Sequence, residues 1–156
     1  MNCKTLILGL GSNIGDRKKN IRKAVEYLKN FFLIEKKSPL YETEPIGPEQ
    51  PYFLNLLLQC KTTYTPYECL KIIKDIEDRM GREKTVRWGP RNIDIDIIFM
   101  ENTFIKNDDL TIPHKELKNR RFFLEPLFYL GFNFKIDTNS VLFYLNKNIG
   151  QHCEKL

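Results

Sequence analysis

The segment that most restricts this chain is Ile93-Asp94-Ile95-Asp96-Ile97, in which apolar and acidic side chains alternate. Period-two alternation puts Ile93, Ile95 and Ile97 on one face of a strand and Asp94 and Asp96 on the other. A sheet built around it buries one face and keeps an acidic strip on the opposite one. At ~3.3 Å rise per residue the two carboxylates sit about 6.6 Å apart along the strand, close enough to converge on shared cations. Two metal ions ~3.5–4 Å apart fit between them. Magnesium suits such a pair because it takes few protein carboxylates and completes its shell with water and substrate phosphates. The plainer alternative is a solvated sheet face.

The segment before this strand bears on that choice. Arg82, Lys84, Arg87 and Arg91 fall within the dozen residues ahead of the aspartates, around a rigid Trp88-Gly89-Pro90. Arginine forks match phosphate oxygens, so cations beside acids point to a metal-nucleotide, with mutual neutralisation as the alternative. The glycines of Gly9-Leu10-Gly11-Ser12-Asn13-Ile14-Gly15 match neither dinucleotide nor P-loop spacing. They serve better to let a backbone or a flat ligand approach the strand end closely.

The remaining elements follow from periodicity and caps. Residues 4–10 read as a buried strand, and Asp16 caps a helix whose Ile21, Ala24, Val25 and Leu28 form one apolar stripe. Leu33 to Thr43 is extended, Pro45 to Pro51 a stiff loop, and Phe53 to Thr62 a second long strand. Thr65-Pro66-Tyr67-Glu68 starts a helix with a capping box that ends at Gly81. Phe122 to Leu130 and Val141 to Leu145 read as later helices, the first interrupted by Pro126. The order strand, helix, strand, strand, helix, strand predicts an α+β ferredoxin-like antiparallel sheet (β-α-β-β-α-β), helices on one face and additional C-terminal helices, in a single domain spanning 1–156.

Two further constellations carry chemistry. Phe53 and Asn55 share a strand face by parity beside the stiff loop at Thr43-Glu44-Pro45-Ile46, and a ring, an amide and fixed backbone groups suit a planar heterocycle. Alternatively, Phe53 is core and Asn55 caps a turn. Thr111-Ile112-Pro113-His114 brings one of two histidines next to a proline, and Asn119-Arg120-Arg121-Phe122 adds two cations and an aromatic.

Charge narrows the partners. The chain has 25 Lys+Arg against 20 Asp+Glu, and residues 1–40 hold nine basic and three acidic side chains. Much of that excess, Lys18, Lys19, Arg22, Lys23 and Lys29, falls on the first helix, where a solvated face is the simpler reading than a nucleic-acid surface. A basic RNA-binding module is the rival for a sheet of this type, but it would carry stacking aromatics where Asp94 and Asp96 stand. No apolar run approaches the ~18 residues that span a bilayer. Cys3, Cys60, Cys69 and Cys153 lack zinc-site spacing, so reduced thiols in a cytoplasmic protein are expected.

Five ordered blocks are similar to one known family. Gly9-Leu10-Gly11-Ser12-Asn13, Thr43-Glu44-Pro45-Ile46-Gly47, Phe53-Leu54-Asn55, Arg87-Trp88-Gly89-Pro90-Arg91 with Asp94 and Asp96, and Ile112-Pro113-His114 through Asn119-Arg120 resemble 6-hydroxymethyl-7,8-dihydropterin pyrophosphokinase of folate biosynthesis. The resemblance spans essentially the whole chain. It implies transfer of the diphosphoryl group of ATP to the pterin hydroxymethyl oxygen, with release of AMP. By carry-over, Asp94 and Asp96 hold two Mg2+ ions, the pterin stacks between Phe53 and Phe122, and Asn55 with Thr43, Pro45 and Ile46 reads its polar edge. Arg82, Arg91, Arg120 and His114 meet phosphates or the transferring group, Arg120 also serving the pterin side, and Arg82 and Arg91 are the catalytic pair. Glu77, Lys84, Trp88 and Thr111 support the nucleotide. The sequence departs from the family pattern at Lys84, Asp109 and Lys115, where members often carry arginine, a basic residue and tyrosine. The partners implied are ATP and the dihydropterin, with no nucleic acid, membrane or obligate protein partner.

Overall fold

In a computed structural model of the chain, residues 3–81 and 92–156 are described. The first helix starts where its cap does: Asp16 accepts from the backbone N–H of Lys19, and α1 runs Arg17–Leu28 after strand β1, Lys4–Ser12. The extended segment after it divides into β2 (Leu33–Lys37) and β3 (Tyr41–Thr43) around Ser38-Pro39-Leu40, because a proline cannot donate to a ladder. Strand β4 covers Phe53–Thr62. The Thr65/Glu68 capping box opens α2, Pro66–Arg79, with both reciprocal hydrogen bonds present, a motif typically worth ~1 kcal/mol over an uncapped end. Gly81 follows at φ +72°, the left-handed position that ends a helix.

Strand β5, Asp94–Met100, lies at one margin of a six-stranded antiparallel sheet. The short strands β6 (Ile105–Lys106) and β7 (Thr111–Ile112) form a hairpin. After a 3-10 turn at Leu117–Asn119 comes α3, Arg121–Tyr129, which continues through Pro126. A second hairpin of β8 (Lys135–Ile136) and β9 (Asn139–Ser140) leads into α4, Val141–Lys147, and the chain closes with β10, Cys153–Lys155. The sheet order is β10-β3-β4-β1-β5, with β2 also paired to β4. Among the described residues the protein is thus α+β, with an antiparallel sheet and four α-helices.

Two cores sandwich the sheet. On one face, Leu6, Leu8 and Leu10 of β1 and Ile95 and Ile97 of β5 meet Ile21, Val25 and Leu28 of α1 and Ile73 and Ile76 of α2. Each such side chain, fully buried, is worth ~1.5–3 kcal/mol of transfer free energy. The expected helices on one face are α1 and α2. The later helices do something else: on the opposite face Ile7, Leu57 and Ile98 pack against Phe123, Leu124 and Leu127 of α3 and Val141 and Leu145 of α4. Ile98 shares the face of Asp94 and Asp96 by alternation, and a bulge at Ile98, where Ile7 pairs with Phe99 but Leu8 with Ile97, turns Phe99 onto that face as well. On the same sheet face, Gly9 and Gly11 of β1, Asn55 of β4 and Asp94 and Asp96 of β5 line a cleft together with Phe122 and Phe123 of α3. The basic face of α1 is solvated, with Lys18, Lys19, Arg22 and Lys23 all exposed. None of the described helices is long and apolar enough to cross a membrane.

Candidate active site

Glycine makes the floor. On β1, Gly11 lies between Asn55 of β4 and Asp94 of β5, and Gly9 lies between Leu57 and Asp96. A Cβ on Gly11 would fall 2.7 Å from Asn55 Oδ1 and 3.4 Å from the Phe53 ring. On Gly9 it would fall 3.1 Å from Ile98 and 3.3 Å from Leu57. The central strand therefore carries no side chain into the space between the amide-bearing and acid-bearing strands. A cavity of about 340 Å³ occupies that space, with Asn55, Phe53, Asp94, Asp96, His114 and Phe122 among its walls.

One wall recognises polar edges. Asn55 is buried, and its Nδ2 donates to the buried Thr43 Oγ1 across the β3–β4 pair. That bond fixes the amide, and Phe53 faces the same space two residues earlier. The parity argument for Phe53 and Asn55 on one face holds, and the alternative of Phe53 as core does not. Thr43 and Ile46 line the cavity as well, while Pro45 lines a smaller adjoining hollow of about 130 Å³ with Ile46, Arg120, Phe122, Gln151 and His152.

The facing wall comes from the segment after β7. The Ile112–Pro113 bond is cis, and His114 N then donates to the carbonyl of the bulged Ile98 at 2.9 Å. His114 Nδ1 accepts from Glu116 N at 3.1 Å, so Nε2 carries the proton, 3.9 Å from Asp96 Oδ1. Burial pushes the His114 pKa down to about 4, against the opposing pull of Asp94 and Glu116; Lys115 and Arg120 push the same way as burial. His114 is thus a neutral donor at pH 7. Its ring packs edge-on against Phe123, centroids 4.9 Å apart, and Phe123 in turn packs against Phe122 at 4.5 Å. Arg120 enters the cavity with Nη2 3.3 Å from Glu116 Oε2.

The acid pair fits a divalent cation. Asp94 and Asp96 are half-buried, both project into the cavity, and two carboxylates with open space for phosphate and water are the donor set magnesium prefers. Glu77 and Thr111 are not among the described residues lining the cavity. Glu77 instead lies buried under β5, where its Oε2 accepts from Ile95 N at 2.9 Å, and Thr111 Oγ1 donates to Asn107 O at 3.3 Å in the hairpin turn. Arg82, Lys84, Arg87, Trp88 and Arg91 lie outside the described residues. Sequence reading missed Glu116, Phe123 and Gln151 as cavity walls; the i, i+4 spacing of Glu116 to Arg120 was the only available signal for any of them.

An antiparallel α+β protein in which one cleft joins an acid pair to a ring-and-amide pocket is suited to bringing two substrates together, as a transferase does. A sequence profile of the family described as 7,8-dihydro-6-hydroxymethylpterin-pyrophosphokinase matches residues 7–131, and the chain belongs to that family. It transfers the pyrophosphoryl group of ATP to hydroxymethyldihydropterin in folate biosynthesis. It is 47% identical over 124 residues to the 2-amino-4-hydroxy-6-hydroxymethyldihydropteridine pyrophosphokinase of Aquifex aeolicus, covering 79% of this chain and 78% of that one. It is 44% identical over 130 residues to the bifunctional protein FolKE of Lactococcus lactis, covering 81% of this chain but 37% of the relative. A crystal structure of Plasmodium falciparum HPPK-DHPS shares the fold, with a TM-score of 0.74 at 18% identity over 99% of this chain and 49% of the other. The chain spans less than half the length of these last two proteins.

Proposed function

We propose that the pterin lies at the Phe53/Asn55 end of the cleft and the ATP phosphates at the Asp94/Asp96 end, so that the hydroxymethyl oxygen faces the β-phosphorus across Gly11. The observation that carries this reading is the side-chain-free strip of β1 between Asn55 and Asp94. Phe53 and Phe122 offer faces for the ring, while Asn55, Thr43, Pro45 and Ile46 offer polar and backbone groups for its edge. Asp94 and Asp96 would hold two Mg2+ ions, which when bound neutralise phosphate charge and fix the triphosphate.

The chain's own residues do the rest by alignment and charge, which is most of what phosphoryl transfer requires. His114 donates from Nε2 toward phosphate oxygens, its tautomer set by the Glu116 amide. Arg120, its guanidinium held by Glu116, serves the pterin side of the junction between the two substrates. Glu77 acts through Ile95, between the aspartates. On the resemblance alone, Arg82 and Arg91 stabilise the charge that develops at the bridging oxygen, with Lys84, Trp88 and Thr111 supporting the nucleotide. The free thiols Cys3, Cys60, Cys69 and Cys153 support a cytoplasmic setting.

The direct test is incubation with ATP, Mg2+ and the hydroxymethyldihydropterin. AMP and pterin diphosphate formed in equal amounts support the reading. ADP as the product, or no turnover, overturns it.

A further inference from the structure

Helix α3 begins at the edge of the cleft with Arg120 in the cap position, and Arg120 supplies no capping side-chain hydrogen bond. The first N–H groups of a helix have no partner inside it, so something else must accept them. Here the acceptor arrives from thirty residues downstream. Gln151 Oε1 accepts from Arg121 N at 2.9 Å, and Gln151 Nε2 donates to Asn119 O at 2.8 Å. One primary amide therefore engages the peptide groups on both sides of Arg120, as a neighbouring strand would, and Arg120 stays extended at φ −122°, ψ 110°.

The amide is itself fixed. Gln151 Nε2 also donates to Asn148 Oδ1 at 3.0 Å, and Asn148 Nδ2 donates to Lys118 O at 2.8 Å. The Arg121 guanidinium returns the contact, donating to the carbonyls of Ile149 and Gln151 at 2.8 and 2.9 Å. One residue further on, His152 N donates to Glu44 Oε1 at 3.2 Å, beside Pro45 and Ile46. The segment from Asn148 to His152 thus ties the Arg120–Phe122 wall of the cleft to the loop that forms the facing wall, and it lies beyond residues 7–131, which the family profile matches.

We infer that Gln151 is a positioning residue for the pterin half of the reaction, setting the direction in which Arg120 and Phe122 enter the cleft by clamping the two peptide groups that flank Arg120. This inference rests on the assignment of Arg120 and Phe122 to the pterin side. Gln151 does not line the larger cavity, and its role is exerted through the backbone of residues 119–121.

Gln151→Met keeps the length of the side chain and removes both peptide contacts. In the full chain, KM for the hydroxymethyldihydropterin should rise about tenfold, with KM for ATP and kcat changed less than about twofold, since a misdirected binding group loses ground-state and transition-state contacts alike. Gln151→Glu keeps the acceptor for Arg121 N but loses the donor to Asn119 O, and should fall between wild type and Gln151→Met. The double variant with Arg120→Met should lose less pterin affinity than the sum of the two single losses, because Gln151→Met acts in part through Arg120. A lowered Tm with unchanged pterin KM means that Gln151 is only a cap, and overturns the inference. Additive losses in the double variant overturn it too. If wild-type protein forms no AMP, the functional reading falls with it; if wild type turns over and Gln151→Met matches it, this inference alone fails.

Discussion

The carboxylate of Glu77 accepts the backbone N–H of Ile95 at 2.9 Å, and Ile95 stands between the two aspartates of the acid pair. Strand β5 is a margin of the sheet, and among the described residues no strand pairs with its outer side, where this N–H points. A buried acid from α2 takes the place of the missing neighbour, with Lys74 Nζ 3.6 Å from its other oxygen. Glu77→Ala leaves a buried amide unpaired and should cost about 1–3 kcal/mol in urea unfolding. Glu77→Gln retains an acceptor and should recover most of that stability. Equal losses in the two variants would mean that charge, not the hydrogen bond, holds β5.

Asp96→Ala should reduce kcat at least about a hundredfold while shifting unfolding by less than about 0.5 kcal/mol, because the side chain is partly exposed and its work is on bound ions and phosphates. Steady-state AMP release at several Mg2+ concentrations checks it. Near-normal turnover at saturating Mg2+ would remove Asp96 from the acid pair.

Gly11→Ala puts a methyl 2.7 Å from Asn55 Oδ1. The Asn55 amide is locked to Thr43, so it must yield its position rather than swing away. Pterin affinity should drop about tenfold with nucleotide affinity nearly unchanged, as for Asn55→Ala. Calorimetry with each ligand separately tests this, and parallel losses for both ligands would contradict the division of the cleft into two halves.

His114 gives the protein an acid sensitivity of known sign. Burial lowers its pKa to about 4 from 6.5, so between those values the unfolded chain binds a proton that the native protein refuses. Stability contributed by the neutral imidazole is complete above about pH 6.5 and is lost as pH falls toward 4. His114→Asn should flatten the unfolding free energy across that window in urea titrations at stepped pH. An unaltered slope would show that other groups govern it.

Much of this architecture is legible in local sequence because it is locally caused. The Thr65/Glu68 box, the Asp16 cap, the stripe on α1 and the two-residue alternation of Asp94 and Asp96 each depend on neighbours a few positions away. The parity of Phe53 and Asn55 is of the same kind. What escaped was set at long range. Glu77 is assigned by resemblance to the nucleotide, and its bond to the Ile95 amide could not be read from its own helix because it depends on the strand packed beside it. Gln151 bonds Asn148 nearby, but the peptide groups it clamps lie about thirty residues back, where no local pattern points. The second core under α3 and α4 was hidden because helix periodicity, which placed α3 to within a residue despite Pro126, does not say which sheet face is covered.

The two strands at the other side of the sheet bear on how this chain behaves in a crowd. Strand β2 presents Lys36 and Lys37 to solvent, and β10 is three residues long with Glu154 and Lys155 exposed. A short or charged margin is a poor template for a foreign strand, which must align many backbone groups and desolvate the charges beside them. On this side of the sheet, growth from copy to copy would have to begin on a short strand or beside exposed charges, and both work against it.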